Sequence, residues 1–174
     1  AECLECDTDK IAVSGADTDT SPYDSGSYAS STAYITGKAV EKTARHLIEE
    51  IRATAAQMLE CGVEDTRFEG DHVSCVSTGK SVTTAEIGVH SMCANNHALQ
   101  VTESHYSPTS PPPFMVGMAE VEVDTETGEV DVLDYVAVVD CGTPINPNLA
   151  RVQTEGGIAQ GIGMALFEDV QYTD

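Results

Sequence analysis

The chain has 174 residues, with 29 acidic against 8 basic side chains and a formal net charge of −21. A chain of this length buries roughly 70% of its unfolded surface, which is enough for one domain with a hydrophobic core. The acidity argues against binding to nucleic acid or to an anionic membrane, because both need positive charge on the protein. We interpret the charge as favouring solubility, salt adaptation or balance against a partner. No apolar run is long enough to span a bilayer.

The cysteines and histidines are scattered and do not form the clusters that bind metals. The six cysteines are Cys3, Cys6, Cys61, Cys75, Cys93 and Cys141. We expect free thiols in a reducing, cytoplasmic compartment. Cys3 and Cys6 form a lone CxxC, which lacks the second pair that a zinc site needs. The five histidines are also dispersed, so no metal ligand is predicted.

A long polar loop follows the first residues of the chain. The opening AECLEC is typical of the end of a helix, and Ile11 to Ser14 predicts a short strand. Residues 15–37 are dense in Ser, Thr, Gly, Asp and Tyr, and long loops in compact domains are usually functional or disordered. The densest part, Tyr28 to Thr32, leads toward a helix and could cradle a phosphate or another polar ligand. A solvated connector is the alternative, and composition alone favours it.

Asp17 to Ser21, with the sequence DTDTS, has the DxDx[ST] shape of a phosphatase nucleophile site. That chemistry needs a buried strand before the first Asp and a Lys downstream. The preceding residues predict only a weak strand, so we favour a turn in which Asp bonds its own backbone. A standalone phosphatase would lose phosphate release in Asp17→Asn, and we expect no such activity.

The middle of the chain predicts a long amphipathic helix over residues 38–60, capped by Thr36 or Gly37 and ended by Gly62. Residues 63–68 and 72–76 predict a hairpin that turns at Gly70. Thr83 and Glu86 form the pattern of a capping box before a short helix over residues 84–93. Residues 100–105 predict a strand, and residues 107–113, SPTSPPP, predict an extended connector.

Residues 114–139 predict a long β-hairpin around the turn TETG. Its apolar residues change phase near Leu133, which predicts a bulge. Toward Val139 both faces become apolar, so the base of the hairpin is expected to be buried and its tip solvated. The predicted fold class is α+β, a mixed sheet with this hairpin, one long amphipathic helix and a glycine-rich helix.

The glycine-rich helix follows the hairpin and contains Gly156, Gly157, Gly161 and Gly163. Each glycine in a helix costs about 1 kcal/mol relative to alanine. A helix tolerates that cost where another backbone or a flat ligand must approach closely. Gln160 lies among these glycines and offers both a donor and an acceptor. We therefore expect a large polar cofactor to lie against this segment and to contact Gln160.

Several of these motifs, taken in order, resemble one family. The segments DTDTSPYDSGSYASSTAYITGKAV, AEVEVDTETGEVDVLDYVAVVDCG and EGGIAQGIGMALFE are similar to the molybdenum-binding subunit of xanthine dehydrogenase and aldehyde oxidase. The resemblance implies hydroxylation of a carbon in an N-heterocycle or aldehyde, with oxygen taken from water. It also implies a molybdopterin cofactor, usually the cytosine dinucleotide form in prokaryotes. Electrons would pass to iron–sulfur clusters and FAD on other domains or subunits of an oligomeric assembly.

The resemblance also implies which residues contact the cofactor. They are Ala29, Ser30, Ser31, Thr32, Gln160 and Gly161. In the family the metal is held by the sulfurs of the cofactor, so no protein metal ligand is needed. The family's essential glutamate lies beyond the last residue of this chain, and its upstream Gln-Gly segment lies before the first. We therefore expect residues 1–174 to be one cofactor-binding domain that is incomplete at both ends, with no catalytic residue and no activity alone. The alternative is a non-catalytic acidic scaffold with the same fold.

Overall fold

The computed structural model describes residues 1–109 and 112–173, and they divide into two compact units, 1–108 and 109–174. The single-domain organisation stays a prediction. Across the described residues, no helix combines the length and the apolar character that crossing a membrane requires.

The first unit contains the long helix α1, Thr32–Leu59. The predicted start at residue 38 was wrong, because the helix begins six residues earlier, at Thr32. Its hydrogen bonding begins where the Ile35 N–H donates to the Ser31 carbonyl over 2.8 Å. Gly37 therefore lies inside the helix rather than before it. The helix ends at Leu59 and is capped by Glu60, a left-handed residue whose N–H donates to carbonyls of the last turn.

A small antiparallel sheet and a second helix pack beside α1. The strands are β1 Thr66–Phe68, β2 His72–Cys75 and β3 Ser81–Thr83, in that spatial order. The predicted hairpin with its turn at Gly70 is confirmed, and β3 is an addition. Helix α2, Thr84–Cys93, begins with the predicted capping box between Thr83 and Glu86. The buried core between these elements consists of Ala55, Leu59, Val73, Cys75 and Ile87.

Two predicted strands are not present in the described part of the chain. Residues 11–14 and 100–105 have no strand pairing. The second segment is held by side chains instead, because Glu103 accepts Lys42 Nζ at 2.6 Å and His46 Nδ1 at 2.9 Å. These contacts with α1 replace the backbone ladder that the sequence pattern predicted. In the predicted connector, residues 110 and 111 lie outside the described residues, and the remainder is irregular.

The second unit consists of the hairpin β4 Phe114–Val123 and β5 Val130–Asp140, followed by helix α3 Pro147–Leu166. Glu120 pairs with Asp134 and Val121 with Val132, so Leu133 is skipped and the predicted bulge is confirmed. The hairpin base is not buried within this chain, since Val116 and Val138 are 74% and 69% exposed. The α+β class is confirmed, with the strands in two separate antiparallel sheets rather than one mixed sheet.

Candidate functional site

The loop before α1 has an unusual backbone at two of the predicted site residues. Ala29 and Ser30 both have positive φ angles, +49° and +56°. Non-glycine residues rarely adopt this left-handed conformation, and each such residue costs about 1–3 kcal/mol. Strain of this kind persists where the surrounding structure or a function requires it. The left-handed turn at Ala29 and Ser30 is followed directly by the start of α1 at Thr32.

The N-terminus of α1 lacks a side-chain cap. Ser31 occupies the N-cap position, but its hydroxyl donates to the Tyr28 carbonyl at 2.6 Å rather than accepting from the helix. The Thr32 hydroxyl contacts Ser27 Oγ, and no acidic residue lies in the first turn. The N–H groups of the first turn have no partners within the helix, and the helix dipole makes this end favourable for negative charge. The segment 29–32 therefore offers neutral donors to an anion or to a polar ring edge.

Gln160 is an exposed residue of helix α3 and is not among the residues that line the groove between α3 and the hairpin. The helix has about 3.6 residues per turn, so Gly156, Gln160 and Gly163 share one face. The Gln160 side chain is exposed, and a Cβ on Gly156 would have no neighbour within 4 Å. A Cβ on Gly163 would lie 2.8 Å from the Glu168 carboxylate. Beside Gln160, the absence of a side chain at Gly156 leaves the helix backbone exposed. A flat ligand could therefore approach this backbone closely.

Gly161 lies on the other side of α3, with Gly157. Both glycines line a groove of about 670 Å³ between α3 and the hairpin. The groove is predominantly apolar, with Val121, Tyr135 and Ile158 among its walls. The four glycines therefore lie on two different faces of α3. The predicted cofactor contacts Gln160 and Gly161 are on different faces as well. The segments 29–32 and 160–161 belong to different compact units of the chain.

Other motifs in the sequence carry no site chemistry in the structure. Asp17 accepts the Asp19 N–H at 2.9 Å, and its carbonyl accepts the Ser21 N–H at 2.8 Å. This is a self-bonded Asp turn, as expected, and it follows no strand. In residues 1–109 and 112–173, no group of three or more His, Cys, Asp or Glu side chains could hold a metal ion.

The chemistry of the donors fits an organic cofactor that brings its own metal ligands. The 29–32 segment supplies backbone N–H and hydroxyl groups, and Gln160 supplies an amide. No basic residue lies between Lys10 and Lys38, so this segment itself would hold an anionic group by dipoles, with any ion pair coming from basic groups elsewhere. These features define the class of the protein as an α+β cofactor-binding domain.

Comparison with known proteins gives the family. Residues 1–174 match the molybdopterin cofactor-binding domain family over their whole length. The chain belongs to this family, and its relatives include molybdenum-binding subunits of the xanthine dehydrogenase family. The resemblance seen in the sequence is thereby confirmed.

Three relatives illustrate the match. The chain is 34% identical to the "Probable hypoxanthine oxidase" of Escherichia coli (strain K12), over 99% of this chain and 18% of that protein. It is 32% identical to the nicotine 6-hydroxylase large subunit of Paenarthrobacter nicotinovorans, over 99% and 22%. It superposes on a crystal structure of Cu,Mo-CO dehydrogenase with a TM-score of 0.65, at 28% identity, over 90% and 20%. The chain thus spans about a fifth of the length of these relatives.

Sequence reasoning missed the backbone conformation at Ala29 and Ser30. No glycine marks the left-handed turn, and the predicted helix start at residue 38 placed the segment in the middle of a loop. A correct helix start at Thr32 would have shown that residues 29–31 form the entry to the helix. The run of small hydroxyl residues could have shown this, because Ser and Thr are favoured at the start of a helix as well as in loops.

Proposed function

We propose that the chain contacts the molybdopterin of a molybdenum hydroxylase through two segments, Ala29–Thr32 and Gln160–Gly161. The whole enzyme would hydroxylate a carbon of an N-heterocycle or an aldehyde with oxygen from water. The relatives named for hypoxanthine and nicotine support an N-heterocycle. When bound, the cofactor supplies the redox-active metal and the sulfurs that hold it.

One observation carries the proposal: two strained non-glycine residues, Ala29 and Ser30, lead into a helix end without a side-chain cap. A solvated connector has no need to hold two side-chain-bearing residues in left-handed conformations. The turn leads into the positive end of the α1 dipole, which favours anionic and polar groups. The Ser31 hydroxyl donates to the Tyr28 carbonyl and the Thr32 hydroxyl contacts Ser27 Oγ, so these side chains would meet a ligand through their remaining lone pairs.

Gln160 is the second contact. Its amide can both donate to and accept from a pterin edge, and the bare helix surface at Gly156 lets a planar group approach on that face. Gly161 lies one residue further along, on the groove side. Its role would be to keep the helix backbone accessible rather than to contact the cofactor with a side chain.

The remaining features of the assembly follow from the family. We propose the cytosine dinucleotide form of the cofactor, iron–sulfur and FAD domains or subunits as electron acceptors, an oligomeric assembly and a cytoplasmic location. The isolated chain should oxidise neither xanthine, nicotinate nor aldehydes. Measurable turnover by purified residues 1–174 would contradict that part of the proposal.

The test measures cofactor content in the full-length subunit that contains this chain. Gln160→Ala should lower molybdenum and acid-released cytosine nucleotide per protein by several-fold. Thr154→Ala is the matched control, because Thr154 lines the groove on another face of the same helix. Ser31→Ala should also lower both contents, whereas Ser14→Ala, on an exposed position of the same loop, should not.

A non-catalytic scaffold is the second candidate function. It is favoured by the large apolar side chains that the hairpin exposes, among them Val116, Met118 and Val138. Unchanged molybdenum and nucleotide in Gln160→Ala and Ser31→Ala, with intact assembly, would support the scaffold and contradict the cofactor proposal.

A further inference from the structure

Two cysteines meet at the junction between α1 and the small sheet. Cys61 follows the C-terminal turn of α1, where its N–H donates to the Ala56 carbonyl at 3.1 Å. Cys75 ends strand β2 and is fully buried. The Cys61 side chain packs against the core cluster that includes Cys75 and interacts with the Cys75 sulfur. The two thiols are separate in this structure, and both belong to the same packed core between α1 and the sheet.

The two thiols differ in access and in acidity. Cys61 is partly exposed, whereas Cys75 has no exposed surface. Hydrogen bonding with the Ser77 and Thr78 hydroxyls lowers the pKa of Cys75 below its ordinary value. Burial, followed by the interaction with Cys75, raises the pKa of Cys61. The accessible thiol is thus the less acidic one, and the buried thiol is the more readily ionised one.

The polar surroundings hold Cys75 in place beside Cys61. Its sulfur donates to Asp65 Oδ2 at 3.2 Å and lies 3.3 Å from Ser77 Oγ. Asp65 also accepts the Ser77 N–H at 3.3 Å and the Ser77 hydroxyl. These contacts fix the turn that carries Cys75, so the sulfur has a defined position rather than a range of rotamers.

We propose that Cys61 and Cys75 are an oxidisable dithiol, in which Cys61 exchanges first with a small disulfide and Cys75 then closes an internal disulfide. This modification site lies in the first compact unit and does not rest on the proposed cofactor contacts. The disulfide would tie the end of α1 to strand β2. This reversible cross-link would stabilise the core of the first unit, and it would form only when a disulfide oxidant is present.

The chemistry balances with a low-molecular-weight disulfide such as oxidised glutathione. The Cys61 thiolate attacks one sulfur of glutathione disulfide, forms a mixed disulfide and releases one glutathione thiolate. The Cys75 thiolate then attacks the Cys61 sulfur of the mixed disulfide and releases the second glutathione. Two protein thiols are oxidised, one glutathione disulfide is reduced to two thiols, and the two protein protons end on the released glutathione.

Peptide mapping of the full-length subunit tests the proposal directly. After treatment with oxidised glutathione and blocking of free thiols with N-ethylmaleimide, trypsin cleaves at Arg52, Arg67 and Lys80. Cys61 then lies on peptide 53–67 and Cys75 on peptide 68–80, each as the single cysteine. The expected product is the linked pair of these peptides, lost again on reduction. Unlinked peptides, both carrying maleimide or with Cys61 held only as a glutathione adduct, would overturn the proposal.

Single variants test the order of the two steps. Cys75→Ser should accumulate the glutathione adduct on Cys61, and Cys61→Ser should leave Cys75 unmodified because Cys75 is buried. Cys93→Ser, at an exposed cysteine, is the control and should leave the linked pair unchanged. If a core variant fails to fold, the wild-type map alone decides, and a Cys61 linkage to any cysteine other than Cys75 would also contradict the pairing.

Discussion

Gly70 and Glu5 are in close backbone contact. Gly70 has φ +71°, and a Cβ added there would lie 2.5 Å from the Glu5 carbonyl oxygen. Gly70→Ala must therefore shift a backbone segment as well as adopt a left-handed conformation. We expect a loss of more than about 1 kcal/mol in the free energy of unfolding, measured by urea denaturation.

Gly88→Ala is the matched control in the same unit. Gly88 lies inside α2, and a Cβ there would have no neighbour within 4 Å. Since alanine is favoured over glycine in a helix by about 1 kcal/mol, this substitution should stabilise the protein. If the two substitutions changed the free energy of unfolding in the same direction, the described close approach of Gly70 to the Glu5 carbonyl would be wrong.

His72 should give the first unit a pH-dependent contribution to stability. The imidazole contacts Asp71 at 2.7 Å through Nδ1 and Glu69 at 3.3 Å through Nε2. The hydrogen bond to Asp71 is the main cause of a raised pKa at His72, and the same bond lowers the pKa of Asp71. The histidine contribution is therefore complete below its unfolded pKa of about 6.5 and is lost as pH rises through the folded value.

The contribution of Asp71 to stability has the opposite pH dependence. Its contribution is present above its unfolded pKa of about 3.9 and is lost as pH falls through the lower folded value. The pair should stabilise most between about pH 4 and pH 6.5. NMR titration of His72 and urea denaturation, both carried from below pH 4 to well above pH 6.5, check the prediction. His72→Gln should reduce the loss of unfolding free energy at high pH. A His72 pKa at or below its ordinary value would contradict the prediction.

The hairpin carries like charges directly opposite each other. Glu122 pairs with Asp131, and Glu120 pairs with Asp134, across the two strands. Such pairs destabilise a sheet by about 0.2–1 kcal/mol, so Glu122→Gln should raise the thermal midpoint of the hairpin unit at low salt. The gain should shrink at 1 M salt, where the Debye length falls to about 3 Å. Glu126→Gln, outside the ladder, is the control, and an equal gain there would rule out the cross-strand explanation.

Elements with a strong local pattern were predictable from the sequence. The alternation and phase shift around Leu133 gave the hairpin and its bulge, and Thr83 with Glu86 gave the start of α2. The strand at residues 100–105 was not predictable, because Glu103 bonds α1 through its side chain instead of pairing its backbone. The three-residue strand β3 is too short to show a period of two, and its pairing with β2 is a tertiary contact.

The candidate site was predictable in residue identity more than in conformation. The hydroxyl-rich run and the glycines around Gln160 marked both segments. The left-handed pair at Ala29 and Ser30 could not be read from residue type, because alanine and serine usually avoid that conformation. Helical periodicity already separates Gly156 from Gly161, which are five residues apart, but which of their faces meets the hairpin follows only from the structure.

The most direct measurement of the central claim is the molybdenum content of the full-length subunit in two variants at one position. Ser30→Gly keeps the positive φ at no steric cost, whereas Ser30→Val places a β-branched residue where φ is +56°. If the left-handed turn and its N–H groups hold the cofactor, the glycine variant retains molybdenum and cytosine nucleotide and the valine variant loses both while remaining folded. Equal cofactor content in the two folded variants would contradict the account.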